Sequence, residues 1–154
     1  MAKYRNLTFE ELDLFKKEFV DYLVVNGIAA DDWSTIKTDS PKKAAQIIDL
    51  FSDVVFEQIL RNVSVLEKHD PAVLQHITCT ENEMLLIAIK RKETNLDLTA
   101  TALSQIELDQ VEIIKGSKPY QGNREAELFE MISSGYIPTK GEAWKAIIEQ
   151  ISNI

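Results

Sequence analysis

Turn-forming residues divide this sequence into short periodic segments, and that division limits the folds open to it. The chain has only 5 glycines and 4 prolines among 154 residues. Nearly all of them fall between segments with regular apolar spacing, where their special backbone preferences are useful. They are Gly27, Gly116, Gly122, Gly135, Gly141, Pro41, Pro71, Pro119 and Pro138. The segments between them predict helices at both ends of the chain and strands in the middle.

The first predicted helix begins after Thr8. Thr8 and Glu11 have the spacing of a capping box, and Leu7 and Leu12 have that of a hydrophobic staple. Apolar residues then recur at helical spacing as far as Gly27, which can end the helix because glycine adopts the left-handed conformation without strain.

Two more helical segments follow. Asp31 is a plausible cap for a short second helical turn. Pro41 follows a cap residue and suits the first position of a longer helix, which we expect to reach about Leu60. The apolar stripe of this helix is broad, and such a stripe indicates a helix buried on most of its circumference.

The middle of the chain has the pattern of an antiparallel meander. Val63 and Val65 alternate with polar residues, residues 74–80 are rich in β-branched side chains, and residues 84–92 are apolar on both faces, as in a central strand. Residues 95–114 fit either strands, through a partial alternation rich in threonine, or one helical face. We predict one or two further strands there.

The C-terminal part reads as a loop and two helices. Residues 116–123 are the predicted loop, and Asn123 caps a helix that ends at Gly135. Thr139 and Glu142 form a second capping box before the last helix. We therefore predict one α+β domain over residues 1–154, with N-terminal helices, a central mostly antiparallel sheet of three to five strands, and two C-terminal helices packed on it.

Composition and charge narrow the classes of function. Hydrophobic residues make up 45% of the chain, which suits a packed globular protein, and the formal charge of −8 argues against nucleic-acid binding. The single cysteine, Cys79, cannot form an internal disulfide. The sequence has no signal-peptide pattern and no apolar run of about 18 residues, so we expect a cytoplasmic protein with no membrane contact.

Two segments carry a resemblance to known sequences. KYRNLTFEELDLFKKEFVDYLVVNGIAADDW and LFSDVVFEQILR resemble a family of small uncharacterised bacterial proteins, a domain of unknown function, most strongly over residues 3–61. The resemblance implies a cytosolic bacterial origin. It supplies no activity and no catalytic residues.

The segment 115–124 is the best candidate for a binding site. It places glycines and cationic side chains before a helix N-terminus, where exposed N–H groups and the helix dipole favour an anion. It matches neither the phosphate-loop nor the dinucleotide-binding glycine pattern, and an ordinary connection with solubilising charges is the alternative. The candidate ligand-binding residues are Lys115, Ser117, Lys118, Tyr120, Asn123 and Arg124, with Lys90 and Arg91 at the end of a predicted strand as helpers.

Three carboxylates form a weaker candidate for a cation site. Asp49, Asp53 and Glu57 repeat every four residues along the long helix and so share one face. They could bind Mg²⁺ or Ca²⁺ if another segment added oxygen ligands. A solvated stripe explains the same spacing, so we predict no metal and no cofactor.

The cysteine and the histidines allow one nucleophilic hypothesis. His69 with Asp70 could activate Cys79. Cys79, however, lies in the middle of a predicted strand, where a small, buried and unreactive thiol is the usual case. His76 is three residues away and is therefore expected on the opposite face of that strand.

Two functional hypotheses follow. The preferred one is a non-catalytic cytosolic interaction or regulatory domain that binds itself, as a homodimer, or another cytosolic protein. It rests on the lack of a catalytic motif and on aromatic residues near element boundaries. The alternative is a protein or enzyme that binds a small phosphate- or carboxylate-bearing ligand through residues 115–124. The sequence leaves open whether the protein is an enzyme.

Overall fold

The computed structural model describes residues 3–152 and divides into two compact units at Arg61 and Asn62. The first unit is helical, and the second contains a five-stranded sheet with two helices. The architecture is α+β, as predicted, with helices before and after a central sheet. That the chain folds as a single domain stays a prediction. Among residues 3–152, no helix combines the length and the apolar character needed to cross a membrane.

The helical unit contains four helices around an aromatic-rich core. They are α1 Phe9–Leu14, α2 Lys16–Val25, α3 Ala30–Asp39 and α4 Pro41–Arg61. Phe19 lies at the centre of this core, with its ring 4.9 Å from that of Phe51 and 5.2 Å from that of Trp33. The Ser52 hydroxyl is fully buried and accepts the Leu7 N–H at 3.0 Å, so the chain entering α1 is tied to α4.

Sequence signals near the helix ends were mostly reliable. The capping box of Thr8 and Glu11 is present, and α4 begins at Pro41. The prediction of a single first helix was wrong, because the helix is interrupted at Phe15 and the chain continues as a second helix, α2. Asp31 does not cap α3, which begins after Ala29 instead.

The second unit is built on an antiparallel sheet of order β4-β3-β2-β1-β5. Its strands are β1 Val65–His69, β2 Val73–Cys79, β3 Glu83–Arg91, β4 Val111–Pro119 and β5 Ile137–Thr139. Its helices are α5 Arg124–Ser133 and α6 Lys145–Ser152. The meander of β1, β2 and β3 confirms the prediction for the middle of the chain.

Two predictions for the following segment were right only in part. Strands were predicted within residues 95–114: residues 111–114 begin β4, whereas residues 95–110 form no strand and contain two short 3₁₀ turns, Leu103–Gln105 and Leu108–Gln110. Residues 116–119 were predicted as a loop, yet they continue β4 along β3, with Gly116 opposite Leu86. Glycine and proline are tolerated there because β4 is an edge strand.

The last predicted capping box was also wrong. Thr139 belongs to β5, and its hydroxyl accepts the N–H of Gly141 rather than opening a helix. A 3₁₀ turn, Glu142–Trp144, leads into α6. By contrast, Asn123 caps α5 as predicted, accepting the Ala126 N–H at 2.9 Å.

The sheet has two distinct faces, which we name the α5 face and the α6 face. Side chains alternate between them along each strand. Leu74 and Ile89 point to the α6 face and pack with Trp144 and with α6 in a closed core. Gln75 and Leu86 point to the α5 face, where they border an open groove together with Met131 of α5.

Candidate functional site

The groove on the α5 face has a volume of about 330 Å³, near the lower end of the range for small-molecule sites. It lies over β2, β3 and β4, beside the end of α5. Its walls and floor are formed by Gln75, Ile77, Met84, Leu86, Gly116, Ser117, Lys118, Met131 and Tyr136.

The floor of the groove is apolar, and a glycine keeps it open. Ile77 and Met84 are buried in the sheet, and Leu86 is half-buried beside them. A Cβ atom added at Gly116 would meet no heavy atom within 4 Å. The missing side chain of Gly116 therefore leaves space above the sheet where a ligand can lie against Leu86.

Polar groups stand at two places on the rim. The Tyr136 hydroxyl donates to Oε1 of Gln75 at 2.8 Å, and the Lys68 ammonium lies 5.1 Å from the centre of the Tyr136 ring. On the β4 side, Lys118 Nζ lies 3.3 Å from Oε1 of Glu127, and the Lys118 side chain is 60% exposed. An ammonium has three donors, so Lys118 can contact an anion at the rim and still hold Glu127.

The predicted binding residues have different places in the structure. Ser117 and Lys118 both border the groove, but Lys118 faces the α5 side, whereas Ser117 lies opposite Leu85, so its side chain belongs to the α6 face. Tyr120 donates its hydroxyl to the Thr80 carbonyl at 2.8 Å, and Asn123 is occupied as the cap of α5.

Arg124 is part of the framework. Its guanidinium donates to the carbonyl oxygens of Val63 at 2.7 Å, Thr80 at 3.1 Å and Cys79 at 3.2 Å. These bonds join the start of α5 to the ends of β1 and β2. Arg124 therefore stabilises the wall of the groove from outside it.

The remaining predicted cations are not gathered with Lys118. Lys115 lies opposite Ile87 and so belongs to the α6 face. Lys90 lies opposite Glu112 at the far end of β3, roughly 20 Å along the strand from the position of Lys118 at about 3.3 Å per residue. Arg91 donates to the Leu96 carbonyl at 3.0 Å.

Two of the three carboxylates of α4 have other partners. Asp53 accepts the Lys3 N–H at 2.7 Å, and Glu57 accepts a hydrogen bond from the Tyr4 hydroxyl. One oxygen of Asp49 is buried without a hydrogen-bond partner among the described residues. Residues 3–152 contain no group of three or more acidic, histidine or cysteine side chains arranged to hold a metal ion.

Cys79 and His76 lie on opposite faces of β2, as predicted. Cys79 is buried, and burial raises the pKa of its thiol to about 11. The thiolate that nucleophilic chemistry needs is therefore scarce at neutral pH. His76 points to the α6 face, beside Trp144, with 5.2 Å between the ring centres.

The sequence analysis missed a buried carboxylate, Glu67, on the α6 face. Glu67 is 4% exposed, and it accepts hydrogen bonds from the Trp144 indole at 3.0 Å, from His69 Nε2 at 2.9 Å and from the Thr139 hydroxyl. Burial raises the pKa of Glu67, but these hydrogen bonds outweigh burial and hold its pKa below the ordinary value. His69 is two residues along the same strand, but alternation along β1 gives no hint of Thr139 and Trp144, which come from distant segments.

His76 lies directly across from Glu67, since the two residues are paired between β1 and β2. Its Nδ1 is buried and has no hydrogen-bond partner among the described residues. A Cβ atom at Gly141 would lie 3.1 Å from its Nε2, and Gly141 has φ of +72°. Burial lowers the pKa of His76, and the nearby charge of Glu67 offsets this only in part.

The pKa of His76 predicts how stability depends on pH. Its folded-state pKa lies below the value of about 6.5 expected in the unfolded chain. The unfolded chain therefore binds more protons below that pH, and stability falls as the pH drops from about 6.5 toward the folded-state pKa, by at most about 1.4 kcal/mol per pH unit. Urea unfolding of the parent and of His76→Asn between pH 7 and 5 measures this. Equal slopes in the two proteins would contradict it.

The comparisons with known proteins place this arrangement in one family. No curated protein and no solved structure matches the chain. Residues 1–152 match a family of unknown function, DUF6495. This match covers the helical unit, the sheet and the groove alike, and the chain therefore belongs to the DUF6495 family.

Proposed function

We propose that this chain is a non-catalytic regulatory domain of the bacterial cytoplasm that binds a small amphipathic anion in the groove on the α5 face. The observation that carries the proposal is the combination of an open apolar floor with one exposed ammonium, that of Lys118, at its rim. Ligand sites are typically concave and mostly apolar, with a few polar groups that fix orientation.

The lining of the groove favours an anion over a cation. None of the nine lining residues is acidic, although the chain as a whole has a formal charge of −8. The apolar body of a ligand would lie against Leu86 and Met131, and its carboxylate or phosphate would lie near Lys118. Gln75 and Tyr136 offer an amide and a hydroxyl at the other side.

Two features support binding without catalysis. Cys79 is buried with its pKa raised to about 11, and Glu67 is enclosed by three hydrogen-bond donors on the other face of the sheet. The groove itself offers Lys118, Gln75 and Tyr136, which can orient a ligand.

A blocking substitution tests the use of the groove. Gly116 is on an edge strand, its φ is not positive, and a Cβ there meets open space. Gly116→Val should therefore fold normally, since β-branched residues suit strands, while its methyl groups occupy the ligand space. With octanoate as the probe, calorimetry and thermal shift should show binding to the parent and at least about tenfold weaker binding to the variant. Absence of octanoate binding to the parent, or equal binding to both, contradicts the proposal.

A matched pair of lysine substitutions tests the role of charge. Lys118→Met keeps much of the aliphatic stem and removes the ammonium, so octanoate should bind about tenfold more weakly, while the neutral analogue octanol should be unaffected. Lys115→Met is the control, because Lys115 is on the same strand but faces the opposite side of the sheet. If both variants lose octanoate equally, general charge attraction explains the binding and Lys118 has no specific role.

A further inference from the structure

The sheet ends at β4, whose outer side pairs with no other strand among residues 3–152. The strand is exposed from Ile114 to Pro119. The N–H of Lys92 donates to the Gln110 carbonyl at 3.2 Å, whereas the N–H of Arg91 turns away toward Ala72. Because these groups alternate along a strand, the odd-numbered residues of β4 direct their N–H and C=O groups to the free edge.

We propose that this edge pairs with β4 of a second copy of the chain, antiparallel, about a twofold axis at Lys115. The pairing would join the two sheets into one continuous sheet. An axis perpendicular to the sheet keeps the α5 faces of both copies on the same side, so each residue meets one that faces the same way. The interface uses Gly116 and Lys118, which also line the groove, but it does not require that the groove bind a ligand. It gives the homodimer predicted from the sequence a specific interface.

The backbone of the free edge is complementary to itself in this register. The outward N–H groups find outward carbonyls in the second copy: Val111 with Pro119, Ile113 with Ser117, Lys115 with Lys115, and Ser117 with Ile113. Pro119, which has no N–H group, falls at the end of the paired segment. The one missing donor therefore lies where the pairing stops.

The side chains on the α5 face are complementary as well. Glu112 would lie opposite Lys118 of the second copy, in the closer type of antiparallel pair, and opposite charges in such pairs are stabilising. Ile114, which is 42% exposed, would lie opposite Gly116, where a Cβ atom meets open space. The apolar side chain would thus be covered without a clash.

The charges on β4 favour pairing of its free edge with a second copy of β4 over pairing with an unrelated strand. Lysines on an edge strand discourage pairing with other chains, and β4 carries Lys115 and Lys118. Lys118 already lies 3.3 Å from Glu127 of its own chain, and a partner strand with a carboxylate in register adds a second favourable contact, which Glu112 of the same strand supplies. The two copies of Lys115 meet at the axis on the α6 face and are the unfavourable contact in the pair.

Sedimentation velocity over a range of concentrations tests the interface through its charges. The parent should dimerise, and Glu112→Lys should raise the dissociation constant at least about tenfold, because two like-charge pairs replace two ion pairs. The exchanged variant with Glu112→Lys and Lys118→Glu restores both ion pairs between the copies but places a carboxylate beside Glu127 in each chain, so it should dimerise at least about threefold more tightly than Glu112→Lys without fully reaching the parent. A parent that stays monomeric, or an exchanged variant as weak as the single one, overturns the proposal.

Two substitutions at Lys115 test the backbone pairing. Lys115→Pro removes an outward N–H and keeps the bonds between β4 and β3, so it should be monomeric with an unchanged circular dichroism spectrum. Lys115→Ala keeps the N–H and removes the repulsion at the axis, so its dimer should be at least as tight as the parent's. A dimeric, folded Lys115→Pro protein would overturn the register. Glu112 does not line the groove, so octanoate binding by the largely monomeric Glu112→Lys protein reports on the groove in the absence of the second copy.

Discussion

The pairing of β4 with β3 positions both the groove on the α5 face and the free edge of β4, the two features for which we propose a function. In this register Gly116 lies opposite Leu86 and Lys118 opposite Met84, which puts the even-numbered residues of β4 on the α5 face. The odd-numbered residues turn their backbone groups to the free edge. A shift of one residue would exchange the two faces of β4, close the groove with Lys115 or Ser117 and remove the match between Glu112 and Lys118. One ladder of hydrogen bonds thus fixes the groove and the edge together.

Local signals predicted the helices that depend on local chemistry. The Thr8–Glu11 box, Pro41 at the first helical position and the Asn123 cap all involve neighbours within a few residues, and each is present. The strands of the meander were predictable because tight turns connect them. The failures have another cause. Residues 116–119 contain glycine and proline and become a strand only because β3 lies beside them.

The candidate site was predictable only in part for the same reason. Lys118 and Ser117 were selected from sequence, and they line the groove. Leu86, Met84 and Met131 resemble any apolar residues of strands and helices, and no pattern distinguishes a groove floor from a core. Glu67 was missed because two of its three hydrogen-bond partners, Thr139 and Trp144, are more than 70 residues away along the chain.

The cations of segment 115–124 show why a basic stretch overstates an anion site. Carbonyl oxygens at strand ends need donors when they are buried. Arg124 serves three such carbonyls, and Arg91 serves that of Leu96. In this acidic chain, backbone carbonyl oxygens therefore occupy several of the basic side chains, which are then not available to bind an anion. Lys118 is the predicted cation that both lines the groove and stays largely exposed.

The single charge of Lys118 links the two proposals. Glu127 already lies 3.3 Å from this ammonium, the groove ligand adds a second anion, and Glu112 of a second copy adds a third. Three anions around one cation repel one another more than the cation compensates, so anion binding and dimerisation should oppose each other, and this coupling must be reciprocal. Saturating octanoate should therefore raise the dimer dissociation constant, whereas octanol, which brings no charge, should leave it unchanged. If octanoate instead lowers the dimer dissociation constant, the repulsion among the anions is outweighed. The favourable contact would then be that of the ligand with Ile114 of the second copy, beside Gly116.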